Sequence, residues 1–423
     1  MTKIKIVDEP MGKGKTNAAI KYLHENGRNR KVVYATPFLN EIARVKAGCP
    51  FMQEPIPVSN EGKKGSFMWL AEREMPIITT HSLLGDTLNR DDIAKFKEFN
   101  YTTLILDETL QAFGCVKENA QDFSAMVIAE YVKVEKDGLL NFDDYSGNLL
   151  SDKKQLLKTR NIYLLDDLEN YTKKNIHLVT ELLPELWDCF EEVWILTYRF
   201  HHSDLRAYFD AYDMPYQYWH LENGNFTEGQ QCDILKMPPI DIYEGDMNEI
   251  GVGRSALSKS WYKNNPEKLS ILKRHINNYI RNIMNAKSSK VCWSTFKKYK
   301  EKLAGRGYTK SYVSCNMRAT NDFQDRTVIA YTVNRFLNPS IKRFLSNRGV
   351  EFDEDQMMLS EMLQFLFRTA LRNNEAVSLY CPSFRMRTLL KEFIEVKPNI
   401  QLSDVLKVLA VARIKRNRKE EAC

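Results

Sequence analysis

Near the start of the chain, Gly12, Lys13, Gly14, Lys15, Thr16 and Asn17 stand between an apolar run, KIKIV, and a helix-forming run, TNAAIKYL. Alternating glycines let successive backbone N–H groups point at one anion, and the helix that follows adds its positive N-terminal end. A lysine at the end of such a loop neutralises the outer phosphates of a nucleoside triphosphate, and the hydroxyl after it ligates Mg²⁺. These six residues are therefore expected to hold the nucleotide, with Lys15 acting on the transferred phosphoryl group and Thr16 on the metal. The usual phosphate-loop pattern opens on a glycine, and this chain has Glu9 there. The cradle depends chiefly on Gly12, Gly14 and Lys15, so the departure leaves the expectation standing.

Two further constellations fit the same chemistry. The apolar stretch TLILDETL ends in Asp107 and Glu108. Adjacent carboxylates at a strand end can divide the work, Asp107 holding Mg²⁺ and Glu108 polarising the attacking water. In LQFLFRTALRN, the spacing of Gln364, Arg368 and Arg372 predicts one helix face, opposite Leu363, Phe367 and Leu371. Arginines on such a face, aimed at the phosphate loop, would act as fingers on the γ-phosphate. The competing reading is a solvated basic face paired with Glu361 or Glu375.

The elements that must position these residues are short β-branched runs alternating with helix-like stretches. That pattern predicts an α/β fold built of βαβ units around a parallel sheet, where ligands collect beyond the C-terminal strand ends. The polar clusters DEPMGKGKT, ATP, TTH, DET and TYR all fall at such ends. The pattern loosens between 114 and 188, which predicts a partly helical insertion with a hairpin around Lys136–Gly138. A second α/β segment begins after Asp213. The length of 423 residues suits two domains, and 43% hydrophobic with 27% charged residues is ordinary globular composition. No apolar run reaches a membrane span, and the first residues lack the apolar core of a secretory signal. The eight cysteines are scattered without a CxxC pair, which argues against zinc knuckles and a disulfide framework. A net charge of +6 permits a polyanionic partner without demanding one. The closing stretch, ARIKRNRKEEAC, reads as a solvated tail.

Taken in order, these stretches resemble the superfamily 2 DExx-type nucleic-acid helicases and translocases. PMGKGKT matches motif I, VVYATPFLNEIARV motif Ia, IITTHSLL the TTH-type motif after it, LILDET motif II and VWILTYRF motif III. SKVCWSTFKKYK resembles motif IV, CNMRATNDF motif V, and Gln364 to Arg372 motif VI. The stretch from Cys315 to Phe344 also resembles phage-encoded helicase-like proteins. The acidic motif reads DETL rather than DEAD or DEAH, and in motif VI the last arginine, Arg372, lies eight positions after Gln364 where the common form has seven. Either Arg368 or Arg372 can thus be the principal finger.

The resemblance implies two tandem RecA-like domains, 1–212 and 213–423, with ATP and Mg²⁺ in the cleft between them. Catalytic work would fall to Lys15, Asp107, Glu108, Gln364, Arg368 and Arg372. Thr36, Thr79, Thr80, His81, Ser294, Thr295 and Thr320 would hold the phosphates of a nucleic acid, single-stranded DNA or RNA. His81 is expected to donate or accept hydrogen bonds there, since nothing supplies further metal ligands at useful spacing. The basic run TFKKYKEKLAGRGYTK, with Phe296, Tyr299 and Tyr308 interleaved, suits a single-strand groove and equally a solvated amphipathic helix. The implied activity is an ATP-dependent helicase or translocase in phage replication or recombination, in the host cytosol, with replication proteins as further partners and no membrane. The alternatives are a packaging or terminase-type DNA motor and a nucleotide-switched binding module.

Overall fold

The computed structural model of the chain describes residues 2–27, 30–58, 62–142, 156–168, 171–229, 238–315 and 322–395. Thr320, most of CNMRATNDF and the C-terminal tail lie outside these. The described residues form two compact units. The first holds 2–229 together with Arg335–Gln364, and the second holds 238–315, 322–334 and 365–395.

In the first unit the strands are β1 (Lys3–Asp8), β2 (Val32–Thr36), β3 (Ile77–Thr80), β4 (Tyr101–Asp107), β5 (Phe113–Asn119), β6 (Val132–Val134), β7 (Leu140–Phe142), β8 (Arg160–Tyr163), β9 (Asn175–Leu182), β10 (Phe190–Thr197), β11 (Tyr216–Glu222) and β12 (Asn225–Glu228). The central sheet runs β12-β11-β1-β10-β4-β2-β3 and is parallel except for the β11–β12 pair. Every residue of β2 is buried, as expected when helices cover both faces of a parallel sheet. One face packs Ile4, Ile6, Leu104 and Leu106 into the larger core; the other packs Val7, Tyr34, Ile105 and Leu196 against Ala19 and Leu23 of the helix Lys15–Asn26.

The insertion has its own sheet, the antiparallel β5-β9-β8, beside the β6–β7 hairpin and the helix Ala120–Ile128. Gly138 turns the hairpin at φ +87, and an added Cβ would lie 2.2 Å from the Leu164 carbonyl oxygen. Helix and hairpin agree with the sequence expectation; the antiparallel sheet is additional.

The boundary at 212/213 needs correction. Ile4 to Val7 of β1 pair with Tyr216 to Trp219 of β11, so the residues just past that boundary complete the first sheet. The segment Arg335–Gln364 also returns to the first unit. Its Ile341, Phe344 and Leu345 join the larger core, with Phe344 4.8 Å from the Tyr163 ring and 5.9 Å from Phe113. Arg348 pairs with the fully buried Glu181 at 2.8 Å and lies over the rings of Tyr163, Tyr212 and Phe344. Burial raises the Glu181 pKa, opposed first by the Arg348 charge. A fragment ending at 212 would therefore expose this core. Truncating Phe344 to Ala should cost about 3–5 kcal/mol, the usual range for a buried phenylalanine, and lower the denaturant midpoint of the first unit. An unmoved midpoint would detach the segment from that core.

In the second unit, β13 (Ile240–Ile242), β14 (Val291–Ser294), β15 (Val328–Tyr331) and β16 (Val377–Tyr380) form one parallel sheet in the order β13-β16-β15-β14. The α/β class with a parallel sheet in each half agrees with the expectation of tandem RecA-like domains. The single helix face for Gln364, Arg368 and Arg372 does not hold. The helix Glu354–Leu366 stops before Arg368, and a tighter turn follows over Ala370–Asn373. Thr369 is extended (φ −93, ψ −165), and the Ala370 N–H leaves the helical pattern to bond the Arg326 carbonyl oxygen at 3.0 Å. Gln364 thus lies in the last turn of one helix, and Arg372 is exposed on a separate turn just ahead of β16.

Candidate nucleotide site

Parallel register sets the stage for chemistry at one edge. Asp8 lies beside Thr197, and Leu196 beside Asp107, so the C-terminal ends of β1, β10 and β4 come together. The loop after β1 turns through Gly12 at φ +84 and Gly14 at φ +90. A Cβ on either would meet nothing within 4 Å, so the left-handed backbone and not crowding requires glycine there. Lys15 follows as the first helical residue, 9% exposed, and its ammonium donates to the carbonyl oxygens of Glu9 (2.5 Å) and Pro10 (3.1 Å). Burial lowers its pKa, while the charges of Glu108, Asp107, Asp8 and Glu9 act to raise it.

Asp107 is where the site's electrostatics converge. Its Oδ2 accepts from the Thr16 hydroxyl at 3.2 Å and from the Tyr34 hydroxyl at 2.9 Å. Burial pushes its pKa up to about 6, helped by the neighbouring Glu108 charge and opposed by the Tyr34 hydrogen bond. A buried carboxylate without a full counter-charge, beside a hydroxyl oxygen, fits a hard divalent cation. No group of three or more His, Cys, Asp or Glu among the described residues can hold a metal. Mg²⁺ commonly takes one or two protein oxygens and fills its shell with phosphate and water. Thr16 and Asp107 are the residues that would hold it. Glu108 follows Asp107 with φ +72, its backbone fixed by a hydrogen bond from its N–H to the Leu196 carbonyl oxygen at 2.9 Å.

Several contributors escape the sequence reading. Glu9, in place of the usual glycine, is buried and accepts from the Leu221 N–H of β11 at 2.8 Å, so it stitches the loop to the sheet. Asp8 accepts from the Arg199 and Phe200 N–H groups at 2.6 and 2.9 Å, fixing the TYRF turn beside the phosphate loop. Burial raises the Asp8 pKa to about 6. Arg199, left-handed at φ 57, donates onward to Gln356. Asn17 accepts from Arg44 at 3.0 Å. Tyr34 had a signal, since a tyrosine inside an apolar strand needs a partner for its hydroxyl.

The Tyr34 contact leads to a pH prediction. Mg²⁺ at Asp107 would need the ionised carboxylate, so its binding should weaken as pH falls through about 6, where an aspartate at its ordinary 3.8 would hold on. Tyr34→Phe removes a hydrogen bond to the charged form and so raises that pKa further. One such bond is worth about 0.5–1.5 kcal/mol, so the midpoint should rise by roughly half a pH unit to one unit. Titrating Mg²⁺-nucleotide binding against pH checks this; an unmoved midpoint removes Tyr34 from the site.

The residues expected to meet nucleic acid are placed unevenly. Thr36 and Thr80 sit side by side at the same C-terminal edge, with Thr36 fully buried and its hydroxyl without a partner among the described residues. Thr79 is buried one position back; Thr80 accepts from the Leu83 N–H at 3.4 Å, and His81 is half-buried beside it. In the second unit Ser294 and Thr295 are fully buried, and the Thr295 hydroxyl donates to the Tyr262 hydroxyl at 3.2 Å. Phe296, Tyr299 and Tyr308 belong to that interior: Phe296 and Tyr299 pack on Tyr262, Tyr308 on Trp293. They are not a stacking platform, and only Lys297 and Lys298 of that run's first turn are exposed.

A glycine loop after β1, an acid pair after β4 and a second parallel sheet make this an α/β protein with a parallel sheet in each unit. The chain belongs to the YonV family. It is 32% identical over 417 residues, 93% of its length and 99% of the relative's, to the SPbeta prophage-derived protein YonV of Bacillus subtilis (strain 168). Residues 236–394 match the YonV C-terminal Rossmann-like domain. Among solved structures, an apo form of XPD aligns over 92% of this chain and 95% of its own at 9% identity and a TM-score of 0.47. The DUF1998 helicase MrfA bound to DNA and AMPPNP aligns over 94% of this chain and 49% of its own, at 12% identity and a TM-score of 0.37.

Proposed function

We propose that the chain is an ATP-dependent nucleic-acid translocase or helicase that acts on DNA and uses Mg²⁺. One observation carries this reading: Lys15, Thr16, Asp107 and Glu108 meet at one sheet edge beside a loop whose glycines leave its backbone open. The loop amides and Lys15 would bind the β- and γ-phosphates, and Glu108 would orient the attacking water. Mg²⁺, held by Thr16 and Asp107, would supply charge neutralisation on the phosphates. Arg368 and Arg372 are the proposed fingers. Binding energy from strand phosphates positions the protein without reading sequence. The prophage origin of the YonV relative supports a place in phage replication or recombination.

The test is ATP turnover measured in parallel with single-stranded DNA, duplex DNA and RNA. Stimulation by a strand supports the motor. Turnover indifferent to every nucleic acid, or nucleotide binding without turnover, would overturn it in favour of a nucleotide-switched module. A preference for RNA would correct the substrate.

A further inference from the structure

Charge is distributed very unevenly along this chain. Residues 259–310 carry fourteen Lys and Arg against two Glu, while the whole chain is only +6, so the rest of it is net acidic. The fold of the second unit concentrates part of that charge at one place. The turn Ser288–Lys290, directly ahead of β14, is bound to the turn Thr309–Ser311 by the Ser311 hydroxyl, which donates to the Ser288 carbonyl oxygen at 3.0 Å. Arg281 donates to the Arg306 carbonyl oxygen at 3.4 Å. These contacts gather Arg281, Lys287, Lys290, Arg306 and Lys310 at the N-terminal edge of the β14 strand, all five exposed. The ion pairs nearby are Lys300 with Glu301 and Arg326 with Asp325, so none of the five is neutralised by an acid among the described residues.

We infer that this edge is a second nucleic-acid contact surface, one that takes the phosphate backbone without reading bases. Five like charges held together by backbone contacts repel one another, and a polyanion is the partner that turns this cost into attraction. Exposed amides and hydroxyls such as Asn285 and Ser289 stand among them as phosphate donors. A membrane surface would ask for aromatic or aliphatic side chains to insert, and Ile283 is the large exposed apolar residue here. The surface is distinct from the residues compared with motif IV. Ser294 and Thr295 close the opposite end of β14, roughly 10 Å away at about 3.3 Å per residue. The inference takes its partner from the proposed function but needs no nucleotide.

The experiment is DNA binding without nucleotide, read by fluorescence anisotropy against salt, on the full chain. The variant carries Arg281→Gln, Lys287→Gln, Arg306→Gln and Lys310→Gln; a charge-matched control carries Lys95→Gln, Lys117→Gln, Lys158→Gln and Lys173→Gln in the first unit. Each phosphate neutralised contributes about 0.7 to the salt slope on a single strand and about 0.9 on duplex. The variant should therefore lose roughly 3 from the slope on a single strand, and somewhat more on duplex, while keeping its thermal midpoint and its strand-free ATP turnover. Adding Lys297→Gln and Lys298→Gln should lower the slope again if the exposed lysines after motif IV touch the strand separately. An unchanged slope overturns the surface, as does an equal loss in the control, which would make the effect net charge alone. Loss of binding to phosphatidylserine vesicles with DNA binding intact would assign it to a membrane and also overturn it. Normal salt-dependent DNA binding in a chain that hydrolyses no ATP would remove the motor and leave this surface standing.

Discussion

Lys15→Ala should lower ATP turnover at least about 100-fold while the first unit stays folded. The ammonium sits where four carboxylates act on it, Glu108, Asp107, Asp8 and Glu9. Removing it strips the cation from the outer phosphates and leaves those carboxylates to repel them. Preorganised charge on a transferring group is worth several kcal/mol in a site that excludes water, and each 1.36 kcal/mol is about tenfold in rate. The side chain contributes little apolar packing, its contacts being to two loop carbonyl groups, so melting should change far less than turnover. Steady-state turnover beside a thermal melt is the measurement. Near-normal turnover in a folded variant would sink the phosphate-loop assignment and the proposed function with it.

Glu108→Gln should separate chemistry from binding. Asp107 is occupied by Thr16 and Tyr34, whereas Glu108 is tied through its backbone to Leu196. Asp107 thus suits the metal and Glu108 the water. A positioned general base contributes about 10²–10⁴-fold, so Glu108→Gln should lose that much turnover yet keep Mg-ATP bound, trapping the nucleotide on the strand-bound protein. Asp107→Ala should instead weaken Mg-nucleotide binding itself. Equilibrium binding of labelled ATP with and without Mg²⁺, set beside turnover, distinguishes the two. If both variants bind nucleotide equally weakly and neither traps it, the division of labour is wrong.

The placing of Lys15, Thr16, Asp107 and Glu108 at strand ends was legible because each group is contiguous in the sequence. Gly12 to Asn17 act as one short turn with a helix behind it, and Asp107 with Glu108 as neighbours at a strand end. Local sequence carries both the backbone conformation and the functional groups, so strand, loop and helix in order suffice. The buried β-branched runs likewise foretold parallel sheets, because a strand covered on both faces has no polar alternation to show. What the sequence could not supply is which distant segment meets which.

The pairing of β11 with β1 depends on a neighbour more than 200 residues away, and a period-two pattern does not name its partner sheet. The return of Arg335–Gln364 is settled by Phe344 finding Tyr163 and by Arg348 meeting a carboxylate that burial alone would penalise. The spacing of Gln364, Arg368 and Arg372 promised one helix, but the bond from Ala370 to Arg326 ends it, a competition that helix propensity does not register. Phe296, Tyr299 and Tyr308 looked like stacking residues because a basic, aromatic run reads alike on a groove and over a core. Only packing against Tyr262 and Trp293 decides that. Asp8, Glu9 and Tyr34 gain their roles from register, which carries β10, β11 and β4 past them. The sequence by itself determined which residues form the loop and the acid pair and that both lie at strand ends; tertiary structure decided which residues hold them in place, because those partners are set by long-range pairing and burial.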